Sequence, residues 1–176
     1  MVNKKKTKIY ILDTSAVLSG KPINLGDCTI ITAQGISDEL NPGGRDYQSF
    51  QFLIEKGLTV HSPTNKSFEK VKVVSKETGD NNRLSTADIE ILALALDFYE
   101  NDEKEAIILS DDYSLQNVAH ALKIKFESIS QSGITKRFKW SYRCRGCGKK
   151  FKDNIKICPI CAAEIKTIVS KKQNIN

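Results

Sequence analysis

Long apolar runs are absent from this chain of 176 residues. None approaches the roughly 20 residues needed to cross a bilayer. The basic start MVNKKKTK leads into too few apolar residues to make a signal-peptide core. Membrane insertion and secretion are therefore set aside, and a cytoplasmic protein is expected. Histidine is nearly missing: His61 and His120 stand alone, and neither has ligand-like neighbours. Ahead of residue 144 the only cysteine is Cys28, expected to be a buried strand residue without a role. There is no internal repeat and no low-complexity tract.

Acid is scarce at one end. Residues 136–176 carry 12 Lys and Arg against only Asp153 and Glu164, a net charge of +10, while residues 1–135 carry 15 against 19, a net of −4. The overall +6 thus conceals an acidic body and a strongly basic C-terminal segment. A concentrated basic block attracts polyanions far better than scattered charge. The length suits one ordinary domain plus an appendage.

The basic segment holds the other four cysteines, Cys144, Cys147, Cys158 and Cys161, as C-x2-C-x10-C-x2-C. Without a secretory signal, two CxxC pairs point to tetrahedral zinc before disulfides. Four thiolates leave no open coordination position, so one structural zinc is expected and a catalytic one is excluded. Gly146 and Gly148 give the first turn backbone freedom and Pro159 stiffens the second. Ala162 takes the place where the first turn has Gly148. So small a segment has too little apolar content to fold without the metal.

From Lys8 to about Ser132, short apolar runs alternate with longer amphipathic ones. That pattern predicts an α/β fold with a mostly parallel sheet flanked by helices. Strands are expected at Ile9–Leu12, Thr29–Thr32, Leu58–His61, Ala106–Ser110 and Ile124–Ser128. Helices are expected from Ser15–Leu18, within Ile36–Lys56 with a break at Asn41–Gly44, and over Phe68–Lys76, Thr86–Tyr99 and Tyr113–Leu122. Ser85 can cap the fourth of these, whose apolar stripe is Ile91, Leu92, Ala95 and Tyr99. The expected division is a domain over 8–132, a linker over 133–139, a zinc ribbon over 140–168 and a loose tail over 169–176.

Open parallel sheets bind ligands beyond the carboxyl ends of their strands, and that is where the acids fall. Asp13 follows the strand YIL, and Asp111 and Asp112 follow AIILS. Asp88 lies in the first turn of its helix, and Glu39 stands between Ile36 and Leu40. No Lys or Arg sits in these motifs to neutralise them, whereas divalent magnesium or manganese takes oxygen ligands and suits phosphodiester hydrolysis. Each acid also has a structural explanation. Asp88 complements the helix dipole, Asp13 and Asp111 cap turns or helices, and Glu39 is an exposed helix residue.

Taken together, DTSA at Asp13–Ala16, ISDEL at Ile36–Leu40, STADIEILALA at Ser85–Ala95 and SDDYSLQNVA at Ser110–Ala119 resemble the four acidic motifs of PIN-domain nucleases. The RCRGCG and CPIC motifs extend the likeness to the archaeal Nob-type endoribonucleases, in which a zinc ribbon follows a PIN domain. The resemblance covers roughly Ile9 through Lys166. It implies Asp13, Glu39, Asp88 and Asp111 as catalytic acids, with Asp13, Asp88 and Asp111 holding manganese or magnesium. It further implies that Asp112 is an additional acid and that Ser110 lends an oxygen to the metal shell. The implied substrate is precursor small-subunit (16S) rRNA, cut at its 3′ end on the pre-small ribosomal subunit. Ala162 departs from the glycine usual at that place in such ribbons.

Expected RNA contacts are Arg137, Lys139, Trp140, Arg143, Arg145, Lys149 and Lys150, with Lys152 adding charge, because aromatic residues interleave with the cations there. Tyr142 and Phe151 are expected to pack the ribbon instead. The alternatives are a catalytically silent rRNA-binding assembly factor and a toxin-like PIN ribonuclease, the latter usually without a ribbon.

Overall fold

The apolar run that opens the chain becomes the centre of a parallel sheet. A computed structural model describes residues 7–19, 28–100, 104–129, 136–153 and 155–174, the side chains of 136–140 and 171–174 excepted. In it, β1 (Thr7–Leu12) is flanked by β2 (Thr29–Ala33) and β4 (Lys104–Leu109), with β3 (Thr59–His61) and β5 (Lys125–Glu127) at the edges. All four pairings are parallel, in the order β3-β2-β1-β4-β5. Ile9, Ile11, Leu12, Ile31 and Ile108 are buried, as strands covered on both faces require.

Six helices cover the sheet among the described residues. α1 (Thr14–Leu18), α2 (Gln34–Glu39) and α3 (Arg45–Glu55) follow β1 and β2, the last two separated at the expected Asn-Pro-Gly-Gly break. α4 (Asn65–Thr78) is longer than its apolar pattern suggests. Thr64 caps its start, and Gly79 ends it at φ +83°, a left-handed conformation that glycine adopts without a Cβ penalty. Asp97 of α5 (Thr86–Glu100) secures that start, accepting from the Thr64 N–H at 2.7 Å and from the Thr64 and Ser67 hydroxyls, each at 2.6 Å. Ile91, Leu92 and Ala95 are buried, but Tyr99 is exposed in the last turn of α5. α6 (Tyr113–Ala121) closes the layer. Cys28 is only half-buried and precedes β2 instead of lying within it.

A second, antiparallel sheet forms the ribbon in the order β7-β6-β8, from β6 (Lys136–Cys144), β7 (Lys150–Phe151) and β8 (Ile165–Asn174). Lys136–Lys139, expected as linker, and Val169–Asn174, expected as tail, are both strand. The signal is the period-two alternation of Phe138, Trp140 and Tyr142 with polar residues, overshadowed by the density of charge. Residues 133–135 and 175–176 lie outside the described residues. Tyr142 is buried and its hydroxyl accepts from Asn82 Nδ2 at 2.9 Å, so the ribbon touches the turn between α4 and α5. No helix among the described residues is long and apolar enough to cross a membrane.

Candidate active site and zinc centre

Pairing of Leu12 with Leu109 makes β1 and β4 leave the sheet side by side. The strand order reverses between these two strands, which is the switch point where open α/β sheets form their ligand crevice. Asp13 and Ser110 are the next residues on the two strands, and the Asp13 N–H still donates to the Leu109 carbonyl at 3.2 Å.

Asp13 is 2% exposed and caps α1. Its Oδ1 accepts from the Ala16 N–H at 2.9 Å and the Ser15 hydroxyl at 2.7 Å, and its Oδ2 accepts from the buried Ser110 hydroxyl. Both serines also accept in turn. Ser15 Oγ takes the Asp111 N–H at 3.1 Å, and Ser110 Oγ takes the Asp112 N–H at 2.9 Å. Two hydroxyls thus tie the two Asp13 oxygens to the backbone of the next acidic pair.

Asp88 and Ser85 bond reciprocally at the start of α5: the Ser85 N–H reaches Asp88 Oδ2 at 2.8 Å, and the Asp88 N–H reaches Ser85 Oγ at 3.1 Å. This is the expected cap, a capping-box arrangement with Asp in place of Glu. The cap of α6 is Asp112 (Leu115 N–H to Oδ1, 2.8 Å), not Asp111. Asp111 is exposed and accepts from the Ile129 N–H at 2.9 Å and from the Ser128 hydroxyl, beyond the end of β5. Glu39 is exposed as the last residue of α2 and shares no hydrogen bond with these acids among the described residues. Its helix is nonetheless docked on α5. The Gly35 N–H donates to Glu90 Oε2 at 2.8 Å, and a Cβ on Gly35 would lie 3.1 Å from the Ala87 backbone.

Burial raises the Asp13 carboxyl above the ordinary aspartate value; hydrogen bonds from Ser110, Ser15 and Ala16 oppose the rise, and the charge of Asp88 adds to it. Burial likewise raises Asp88, against the two Ser85 hydrogen bonds and together with the charge of Asp112. Through these repulsions Asp13, Asp88 and Asp112 share one field. Among the described residues no cation pairs with Asp13 or Asp88. Hard oxygen donors with uncompensated negative charge fit a divalent cation.

In the ribbon, the Sγ atoms of Cys144, Cys147, Cys158 and Cys161 lie within 4.8 Å of one another, the one such donor group among the described residues. Cys144 and Cys161 are 3.3 Å apart and Cys147 and Cys158 3.7 Å, far longer than a disulfide and near the ~3.8 Å edge of a zinc–thiolate tetrahedron. Burial opposes ionisation of Cys144, yet the Cys147 N–H, the Cys161 thiol and the Gly146 N–H outweigh it and bring the thiol down to about 6. The Lys149 N–H favours ionisation of Cys147, but burial and the three neighbouring thiols push it up to about 11. Four thiols this close ionise together only around a cation, and the cluster is built for zinc.

The two knuckles repeat one geometry. The Cys144 N–H reaches the Lys149 carbonyl and the Cys158 N–H the Ala163 carbonyl, both at 2.9 Å. The residue after the second cysteine is left-handed in each, Gly148 at φ +74° and Ala162 at φ +56°. A Cβ on Gly146 would lie 2.9 Å from Ala163 Cβ and 3.2 Å from Cys161 Sγ, so only glycine fits there.

Of the expected RNA contacts, Lys149 and Lys150 are exposed. Arg143 is exposed but directs Nε to the Gly148 carbonyl at 3.1 Å, and Arg145 lies 3.7 Å from Glu164. The side chains of Arg137, Lys139 and Trp140 lie outside the described residues. Tyr142 is buried and Phe151 half-buried, as expected.

Ser15 was expected only in the turn that Asp13 caps, so its second bond, accepted from the Asp111 N–H, was overlooked. Gln116 was also overlooked; it is buried in α6 with Nε2 donating to the Ser110 carbonyl, and nothing in an amphipathic helix marks such a glutamine.

Residues 10–98 match the family model described as the PIN domain of ribonuclease. The chain is 34% identical over 160 residues to Endoribonuclease Nob1 of Archaeoglobus fulgidus, covering 91% of this chain and 90% of that protein. It is 35% identical over 170 residues to Endoribonuclease Nob1 of Pyrococcus abyssi, covering 93% and 96%. Ribonuclease VapC1 of Thermoplasma acidophilum is 34% identical over 167 residues, covering 95% of this chain and 81% of that protein. With its parallel sheet, its acids beyond the strand ends at the switch point and its four-cysteine cluster, the chain is an RNA-cleaving hydrolase that belongs to the PIN-domain ribonuclease family, among the archaeal Nob1 endoribonucleases.

Proposed function

We propose that this protein is a manganese- or magnesium-dependent endoribonuclease that cuts precursor small-subunit (16S) rRNA at its 3′ end on the pre-small ribosomal subunit, in the cytoplasm. The observation that carries this reading is the union in one chain of two buried carboxylates at the switch point, Asp13 and Asp88, which no cation pairs among the described residues, and a basic four-cysteine module. The name Nob1 on relatives aligned over most of their length supports it.

In this reading Asp13, Asp88 and Asp111 hold the catalytic metal, Asp112 adds negative charge, and Glu39 approaches from α2. When bound there, a divalent ion supplies a Lewis acid for the scissile phosphate and an activated water. The chain's own share is orientation. Ser15 and Ser110 fix the two Asp13 oxygens, and Ser85 fixes Asp88. The acidic edge alone repels RNA phosphates, so the basic ribbon delivers the strand, with Lys149 and Lys150 on its exposed face and Arg137, Lys139, Trp140, Arg143 and Arg145 completing the contact set.

The test is incubation of the zinc-loaded protein with RNA spanning the small-subunit 3′ end, with and without manganese. The proposal expects a metal-dependent cut. A silent assembly factor would bind the RNA in a salt-sensitive way and leave it intact under every divalent metal.

A further inference from the structure

We infer that Gln116 is a positioning residue for the catalytic carboxylates, acting through Ser110. The inference rests on the assignment of Asp13, Asp88 and Asp111 as the site. Ser110 is the first residue beyond β4 and stands beside Asp13. Its hydroxyl donates to Asp13 and accepts the Asp112 N–H at 2.9 Å, and its own N–H donates to the Glu127 carbonyl at 3.2 Å. Its carbonyl lies just past the end of β4, where the ladder can no longer supply a donor. The donor comes instead from Gln116 Nε2, one turn into α6. Three sides of Ser110 are therefore held by backbone groups or Asp13, and the fourth by one side chain.

Stability does not explain that side chain. Gln116 is 1% exposed, and its Oε1 finds no partner among the described residues. A buried acceptor without a donor is costly and offsets what the bond to the Ser110 carbonyl contributes, so an apolar side chain of the same length would exchange one orphaned acceptor, Gln116 Oε1, for another, the Ser110 carbonyl. Gln116 lies in the helix capped by Asp112 and bonds to the residue that orients Asp13. A choice with no gain in stability, beside a functional group, is where sequence departs from the stability optimum. Next to it, Asn117 is also fully buried and donates to Asp80 Oδ2 at 2.6 Å, so α6 is tied at the same level to the turn that precedes α5 and Asp88.

The experiment compares wild type, Gln116→Met and Asp13→Asn as full-length, zinc-loaded proteins. Melting temperature is measured beside kcat and KM for RNA cleavage at saturating manganese. Methionine keeps the length and flexibility of the chain, loses the donor and removes the orphan acceptor. The inference expects kcat to fall roughly 10- to 100-fold with KM unchanged, while the melting temperature stays within about 3 °C. Gln116→Leu repeats the comparison in case methionine packs poorly. Wild-type kcat in both variants, or a loss of activity matched by loss of folding in both, overturns the inference. If Asp13→Asn also cuts at the wild-type rate, the site assignment itself has failed. If Asp13→Asn is inactive while the Gln116 variants are not, only the role of Gln116 has failed.

Discussion

Ser15 donates its hydroxyl to Asp13 at 2.7 Å while accepting the Asp111 N–H at 3.1 Å, and so joins the ends of two strands 96 residues apart in the chain. Ser110 does the same for the other Asp13 oxygen and the Asp112 N–H. Asp13 is therefore held in one rotamer before any substrate arrives. Removing either hydroxyl, as Ser15→Ala or Ser110→Ala, is expected to lower kcat about 10- to 100-fold if Asp13 holds the metal as proposed, the usual effect of losing a group that orients a metal ligand. The double variant should lose less than the product of the two, because both act on one carboxylate. Steady-state cleavage rates check this, and fully multiplicative losses would separate the two serines.

Asp13 also makes a prediction about stability. Its carboxyl is raised in the folded state, so the folded protein binds the proton more tightly than the unfolded chain. Without divalent metal, stability falls as pH rises from the ordinary aspartate value through the folded one. Asp13→Asn should therefore abolish cleavage yet melt no lower than wild type at pH 7 in metal-free buffer, an advantage that shrinks at acidic pH. Thermal melts across pH decide it. A variant markedly less stable at pH 7 would show the charged form to be well accommodated.

Cys158 is buried within the thiol cluster, so Cys158→Ser or a strong chelator should unfold the ribbon and leave the parallel-sheet body folded with its own core. Zinc quantification on the purified protein should give one equivalent. Less than about half would contradict a four-thiolate structural site.

Ala162 holds a positive φ of 56° where the equivalent residue of the other knuckle is Gly148. Glycine enters that region without a Cβ penalty, so Ala162→Gly should stabilise the ribbon by about 1 kcal/mol, and Gly148→Ala should cost a similar amount. Gly146→Ala should do worse, since its Cβ would strike Ala163 and approach Cys161 Sγ. Chelator-competition titrations measure all three.

Much of this architecture was legible in the amino acids. The five strands of the large sheet announced themselves as short β-branched runs, and Asp13, Asp111 and Asp112 lie just beyond strand ends as their motifs suggest, where α/β sheets put chemistry. The CxxC spacing carried the zinc centre, and Ala162 stood out against Gly148. What stayed hidden depends on three-dimensional pairing. Lys136–Lys139 and Val169–Asn174 read as loose charged chain, although they pair with one another over most of their length. Tyr99 fits the apolar period of α5 yet is exposed in its last turn. Ser15 and Gln116 gain their roles from partners on other strands, which periodicity and composition cannot reveal. Asp112, not Asp111, caps α6, a difference of one residue that lies within the uncertainty of any helix boundary read from pattern.

The central claim is that this carboxylate edge cuts precursor rRNA at the small-subunit 3′ end. Primer-extension mapping of a precursor fragment, incubated with manganese and either wild type or Asp13→Asn, tests it most directly. The account predicts a single manganese-dependent cut at the mature 3′ end with wild type and an intact fragment with Asp13→Asn. Cleavage scattered along the RNA, or the same cut from both proteins, would contradict it.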